Sequence, residues 1–224
     1  MSNLKIITTG ILIISALSFT ACFADSDDLK ESTKTLLKGE SNDVNYDLAK
    51  KYFEEGDYEK ALEYDKKQLE VDLKYYKVES EEISLDYNNI GLDYDELKNY
   101  KEAIVWYKKS MKIDDVVLDE NSTERSTTYY NIASSYDELQ EYDNALEYYF
   151  KALKIDKMGL GEYHEDVLAE YEDIAKVYEH TNHLKLALTY WKKALEFKEH
   201  EYDKDDAEIV ETREKIEELE KKIK

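Results

Sequence analysis

The chain has 224 residues, no proline and only six glycines, and 38% of its residues are charged. The absence of proline argues against a β sandwich with many turns and favours a chain that is nearly all helix. The formal net charge of −22 would repel nucleic-acid phosphates and anionic lipid head groups, so we exclude both as direct partners. The 21 tyrosines supply enough ring surface for a folded core, which argues against disorder despite the charge.

The first 24 residues have the pattern of a secretory leader, with Lys5 followed by an uncharged, largely apolar run to Ala24. The end of this run fits two alternatives. Cleavage after Ala24 would follow a small–x–small sequence, whereas Phe19-Thr20-Ala21-Cys22 resembles a bacterial lipobox in which Cys22 is lipidated. A third alternative is an uncleaved anchor, because the run is barely long enough to span a bilayer. We therefore predict an exported bacterial protein, either periplasmic or a membrane-anchored lipoprotein, whose membrane contact is limited to that anchor.

The rest of the chain is organised by a repeat of 42 residues. Its clearest marker is an alanine that recurs at this spacing, at Ala61, Ala103, Ala145 and Ala187. We predict the following division: a polar spacer at 25–41, repeats at 42–83, 84–125, 126–167 and 168–204, and a capping helix at 205–224. The cap is expected because a stack of repeats leaves its last apolar face open.

Each repeat has the apolar spacing of two amphipathic helices. In the third repeat the predicted core row consists of Ala133 and Tyr136 in the first helix and Ala145 and Tyr148 in the second. Small residues let the two helices approach closely, and the rings then fill the space between one hairpin and the next. The tyrosines are therefore interpreted as core residues rather than as a binding site.

Residues 56–64 read Gly-Asp-Tyr-Glu-Lys-Ala-Leu-Glu-Tyr. This segment resembles the Gly-Asp-Tyr-x-x-Ala-Leu-x-Tyr pattern of the tetratricopeptide repeat, and the 42-residue length is similar to the variant found in kinesin light chains. Asn88-Asn89-Ile90-Gly91 is similar to that variant's Asn-Asn-Leu-Ala, and 160–167 to its repeat junction. The resemblance implies an all-α fold, a right-handed superhelix of four helical hairpins with a C-terminal capping helix.

The resemblance also implies that the first helices line a concave groove that binds peptide. In the long-repeat relatives, asparagines in this row hold extended peptides. The matching residues here are Asn89 and Asn131. A carboxamide offers both a donor and an acceptor, so it can bind a peptide backbone without reading its side chains. The predicted groove residues are Asp47, Asn88, Asn89, Leu92, Asp95, Glu96, Tyr130, Asn131, Ser134, Asp137, Glu138, Glu172, Asp173 and Lys176.

These residues predict a protein–protein interaction module or scaffold that binds an extended, basic peptide segment in an acidic groove. One alternative is a ligand-responsive peptide sensor or regulator in the cell envelope, and another is that the acids only keep an exposed face soluble. We predict no enzymatic activity, no catalytic residues, no cofactor and no metal site, although Glu179, His180 and His183 lie close together in the sequence. Self-association through the uncapped end of the first repeat is a further expectation.

Overall fold

The computed structural model describes residues 44–203 and 206–224. These residues form nine helices and no strand, which confirms the predicted all-α solenoid of four hairpins and a cap. The leader, Cys22 and the spacer lie outside the described residues. The helices are α1 over 44–54, α2 (Tyr58–Asp72), α3 (Glu81–Glu96), α4 (Tyr100–Val117), α5 (Thr123–Glu138), α6 (Tyr142–Gly159), α7 (Glu165–His180), α8 (Leu184–Glu201) and α9 (Ala207–Ile223).

The first helices begin three residues before the predicted repeat boundaries at 84, 126 and 168. Their N-cap residues are themselves 42 apart and continue into the capping helix, at Ser80, Ser122, His164 and Asp206. The Ser80 hydroxyl accepts from the Ile83 amide at 3.4 Å, and the Asp206 carboxylate accepts from the Glu208 amide at 2.8 Å. A side chain that caps orphan amides sets where a helix starts, and an alignment on the shared alanine does not detect it.

A left-handed residue closes each hairpin turn between the first and second helix. The four positions are again 42 apart: Gly56, Lys98, Gln140 and Asn182, with φ of 77°, 58°, 59° and 58°. In each turn the next backbone amide donates to the carbonyl of a first-helix tyrosine, as Glu141 does to Tyr136 at 2.9 Å. This pattern ends the first helix by satisfying one of its free carbonyl groups. Only the first repeat places glycine where this backbone conformation favours it.

The core contains the alanines and rings that the repeat pattern predicts. Ala133 and Ala145 are fully buried, and the half-buried rings of Tyr136 and Tyr148 stack with their centroids 5.9 Å apart. Equivalent stacks join Tyr52 to Tyr64 and Tyr178 to Tyr190. These stacks confirm the interpretation of the tyrosines as structural.

The repeat pattern missed a second ring row, which is more deeply buried. Tyr107 and Tyr149 are 1% and 2% exposed, and Trp191 occupies the same position in the fourth repeat. Tyr107 packs against Gly91 so closely that a Cβ at Gly91 would lie 2.5 Å from two ring carbons. In the first repeat this position holds Asp65 instead of a ring.

The capping helix closes the solenoid by packing its apolar side on α8. Ile209, Ile216 and Leu219 are buried there. Lys198, at the C-terminal end of α8, is 5% exposed and its ammonium binds the Glu172 carboxylate at 2.6 Å. The described helices otherwise pack chiefly on their neighbours in sequence, so the first helices lie side by side along one face.

Candidate peptide-binding groove

An amide pair lies at the centre of the predicted groove, between the second and third repeats. Asn88 and Asn131 are half-buried, and the Asn131 side-chain amide donates to the side-chain oxygen Oδ1 of Asn88 at 3.3 Å. Asn89 is half-buried in the same turn of α3. Across 44–203 and 206–224 neither side chain forms another hydrogen bond, so the pair can still offer donors and acceptors to an extended backbone.

Predicted groove residues of the third and fourth repeats bind one another. The Tyr130 hydroxyl donates to Asp173 at 2.6 Å, and Lys176 reaches the same carboxylate at 2.9 Å. Burial, followed by the charge of Asp173, raises the pKa of the Tyr130 hydroxyl, which therefore remains a donor. Since Lys198 also binds Glu172, this end of the groove compensates much of its own negative charge.

Several of the other predicted acids accept hydrogen bonds from neighbouring repeats. The Ser135 hydroxyl donates to Asp95, and Tyr100 of α4 interacts in the same way with Glu138. The equivalent pair one repeat earlier joins Tyr58 and Glu96. The remaining predicted residues occupy their expected helices: Asp47 is exposed on α1, while Leu92, Ser134 and Asp137 are half-buried. The groove is therefore less uniformly acidic than the sequence suggests.

Three cavities lie along this face. One of about 230 Å³ between the first two repeats is lined by Tyr46, Lys50, Phe53, Asp65, Asn89 and Leu92. A second of about 330 Å³, between the second and third repeats, includes Asn88, Asp114 and Thr128. A third of about 700 Å³ lies between the fourth repeat and the cap and includes Glu172, Lys176 and Trp191. The predicted groove residues and the cavities thus share one face of the solenoid.

Buried carboxyl groups lie beside this face, and sequence reasoning missed them. Asp65 is 6% exposed and Asp93 is fully buried, and the two carboxyl groups face each other. Burial, together with the negative charge of Asp65, raises the pKa of Asp93, while burial alone raises that of Asp65. Two facing carboxylates without a cation between them are most stable when they share one proton. The available signal was the break in the ring row at Asp65.

A second buried polar row, also with a 42-residue period, crosses the junctions between repeats. It pairs Asp72 with Asp86, Asp114 with Thr128, Asp156 with Glu170 and Lys198 with Thr212. Burial and then the charge of the facing aspartate raise the pKa of Asp86 to about 8 and that of Glu170 to about 9. At the second junction hydroxyls replace the second carboxyl group: Thr128 donates to Asp114 at 2.9 Å. The four junctions therefore contain three kinds of buried polar pair: two carboxyl groups, a carboxyl group with a hydroxyl, and a lysine with a hydroxyl.

The histidine region has structural contacts of its own. The Glu179 carboxylate accepts from the Trp191 indole at 2.8 Å and binds Lys215 at 2.9 Å. The ring of His180 packs on Tyr142, and His183 contacts Thr181. Among the described residues, no group of three histidine, cysteine or acidic side chains could hold a metal ion.

Within 44–203 and 206–224, no helix is both long enough and apolar enough to cross a membrane.

Comparison with known proteins agrees with the observed geometry. A search of curated proteins gives no significant match. A kinesin light chain structure with nearly identical TPR-like repeats from Podosopora anserina has a TM-score of 0.69 and 15% identity, covering 79% of this chain and 83% of that one. BtubC (BKLC) from P. vanneervenii also has a TM-score of 0.69, with 18% identity over 88% of this chain and 84% of that one. The apo form of RapI has a TM-score of 0.64 and 18% identity, covering 84% and 63%.

These structures share the fold at low identity, and the family model decides membership. The tetratricopeptide repeat model matches residues 40–115 and 124–200, about two thirds of the chain. Tetratricopeptide repeats mediate protein–protein interactions and typically serve as scaffolds without catalysis of their own. The repeats, their hairpin packing and this match together show that the chain belongs to the tetratricopeptide repeat family.

Proposed function

We propose that this protein is an exported interaction module that binds an extended, basic peptide segment of a partner protein along its concave groove. The observation that carries the proposal is the Asn88–Asn131 amide pair, half-buried at the centre of the face that contains the cavities. Asparagine is a mediocre helix former, so its presence mid-helix at Asn89 and Asn131, 42 residues apart, needs a reason besides helix stability.

Charge supports a basic partner. The net charge of −22 favours encounter with cationic segments, and the groove contains exposed acids such as Asp47 and Glu138. Because exposed charges are screened by salt, the affinity should fall as ionic strength rises.

A positional peptide library tests the proposal, with binding to the full chain measured by fluorescence anisotropy. Asn89→Ala/Asn131→Ala should weaken binding of the selected peptides at least about tenfold, because two backbone-directed amides are lost, each worth on the order of 1 kcal/mol. The melting temperature should change little. The matched control is Asn144→Ala, an exposed asparagine on the second helix α6. Equal loss of binding and stability in the double variant would assign these asparagines a structural role instead.

The alternative is a ligand-responsive regulator, which would also bind a peptide in the groove but would change its shape on binding. The described helices pack chiefly on their sequence neighbours, so small changes in each junction add up along the solenoid. Peptide addition should then reduce the radius of gyration in small-angle scattering. An unchanged radius, together with a co-purifying protein, would favour a scaffold.

Export and membrane attachment rest on the leader alone. We expect Cys22 to carry lipid if the sequence at 19–22 acts as a lipobox, and cleavage after Ala24 if it does not. Labelling with radioactive fatty acid, compared between wild type and Cys22→Ser, separates these alternatives. An unlabelled wild-type protein rules out lipidation.

A further inference from the structure

The cavity between the first two repeats has a carboxylate in its wall and a second carboxyl group behind it. Asp65 lines the cavity and is 6% exposed. Asp93 faces Asp65 and is fully buried, and no hydrogen-bond donor of the described residues reaches either of its carboxyl oxygens. A buried acceptor without a donor costs free energy unless it shares a proton or binds a cation.

The cavity exists because the ring row is interrupted. Tyr107, Tyr149 and Trp191 occupy the position 42, 84 and 126 residues after Asp65, and all three are buried rings. An aspartate is much smaller than a tyrosine, so the space that a ring fills in the later repeats remains open here. The opening is about 230 Å³, lies on the groove face and has Asn89 in its wall.

We propose that this cavity binds a cationic side chain, preferentially arginine, of the peptide held in the groove, with Asp65 as its direct counter-ion. The inference rests on the proposed function and names the side chain that the groove selects. A guanidinium carries five N–H donors in a planar fork that matches a carboxylate, and Asp93 of the Asp65–Asp93 pair lacks a donor among the described residues. It would replace the shared proton between the two carboxyl groups.

The other walls suit the stem and face of the same side chain. Tyr46 and Phe53 line the cavity and present ring surface, on which an arginine can stack. Two lysines of the protein are also near. The Lys66 ammonium donates to the Tyr94 hydroxyl at 2.8 Å, and Lys50 is an exposed residue of the cavity wall. The charge of Lys66 acts to lower the pKa of Asp93, but among the described residues no hydrogen-bond donor reaches the Asp93 carboxyl oxygens, so a cation in the cavity would add a contact that Lys66 does not make.

The test compares two peptides of about ten residues, roughly 33 Å when extended, in a glycine–serine background. One has a central arginine and the other has citrulline, which has nearly the same shape and no charge. Binding to the full chain is measured by calorimetry. We expect the arginine peptide to bind at least about tenfold more tightly, because charge-assisted bidentate hydrogen bonds are roughly twice as strong as neutral ones. Equal affinity of the wild-type chain for the two peptides would overturn the inference.

Variants of the two aspartates test whether the preference for arginine arises in this cavity. Asp65→Asn/Asp93→Asn should abolish the preference for arginine, and so should Asp65→Tyr, which supplies the ring found in the later repeats. The matched control is Glu170→Gln, which alters a buried carboxyl pair that does not line this cavity. A preference that persists in a folded Asp65 variant would place the cation elsewhere and overturn the inference.

The outcomes also separate this inference from the proposed function. If both peptides bind equally and Asn89→Ala/Asn131→Ala weakens both, the groove binds peptide and only the arginine site is wrong. If neither peptide binds and the library selects no other sequence, both proposals are wrong. Titration of ethylguanidinium, which mimics an arginine side chain alone, should shift the NMR signals of Tyr46, Phe53 and Leu92 in the wild type. The absence of any shift at these residues would also overturn the inference.

Discussion

Replacing Glu170 with glutamine should make the stability of this protein less dependent on pH. Glu170 is 1% exposed and faces Asp156, and within the part of the chain that the structure describes no hydrogen-bond donor reaches its carboxyl oxygens. Burial and the charge of Asp156 raise its pKa from 4.5 to about 9. The folded state therefore binds one more proton than the unfolded state between these values. Stability is fully present below the unfolded pKa and falls as the pH rises through the folded one.

The size of the pH effect on the unfolding free energy follows from the one additional proton that the folded state binds. Each pH unit within that window costs about 1.4 kcal/mol of unfolding free energy, or roughly 3 kcal/mol between pH 6 and pH 8. Glutamine has no charge to acquire, and its amide can donate to the Asp156 carboxylate. The variant should therefore match the wild type near pH 5 and exceed it at pH 8.

Urea denaturation at several pH values measures the difference in slope between wild type and Glu170→Gln. Burial also raises the pKa values of Asp86 and Asp93, so these groups contribute pH slopes of the same sign. They are present in both proteins, so the difference in slope between wild type and variant reports Glu170 alone. Glu165→Gln is the matched control, since Glu165 is exposed on the same helix. Identical slopes in wild type and Glu170→Gln would refute the argument that this carboxyl is protonated when folded.

Three further substitutions test the packing by urea denaturation. Gly91→Ala should destabilise the folded protein by about 1–3 kcal/mol, because the new Cβ would lie 2.5 Å from the Tyr107 ring. An increase in stability, as expected from the higher helix propensity of alanine, would contradict this. Gln140→Gly should stabilise the folded protein by up to about 1 kcal/mol, since a φ of 59° strains a residue that has a Cβ. A lower stability of the variant would mean that contacts of the glutamine side chain compensate for that strain. Lys198→Met should cost about 3 kcal/mol by leaving Glu172 without its cation, and high salt should reduce that cost only slightly because the lysine is buried.

Two features of the predicted groove depended on contacts that the sequence pattern did not reveal. The asparagines were identified by their register, yet the hydrogen bond joins Asn131 to Asn88 rather than to Asn89. Asp173 was predicted as an acid of the groove, and the structure shows that Tyr130 and Lys176 both bind it. Neighbouring first helices are offset along the solenoid, so residues in one predicted row meet residues of the adjacent row. The spacing of 42 aligns equivalent positions and does not say which of them touch.

The repeat by itself determined the fold. Alanines and rings that return every 42 residues require one helical hairpin to be built four times, because a single hairpin cannot bury its own apolar face. Tertiary structure decided where charge is buried. Asp65 and Asp93 are 28 residues apart in different helices, and only the packing of α2 on α3 brings their carboxyl groups together. Side-chain pairing across a junction depends on how far adjacent helices are offset, and the 42-residue spacing does not specify that offset.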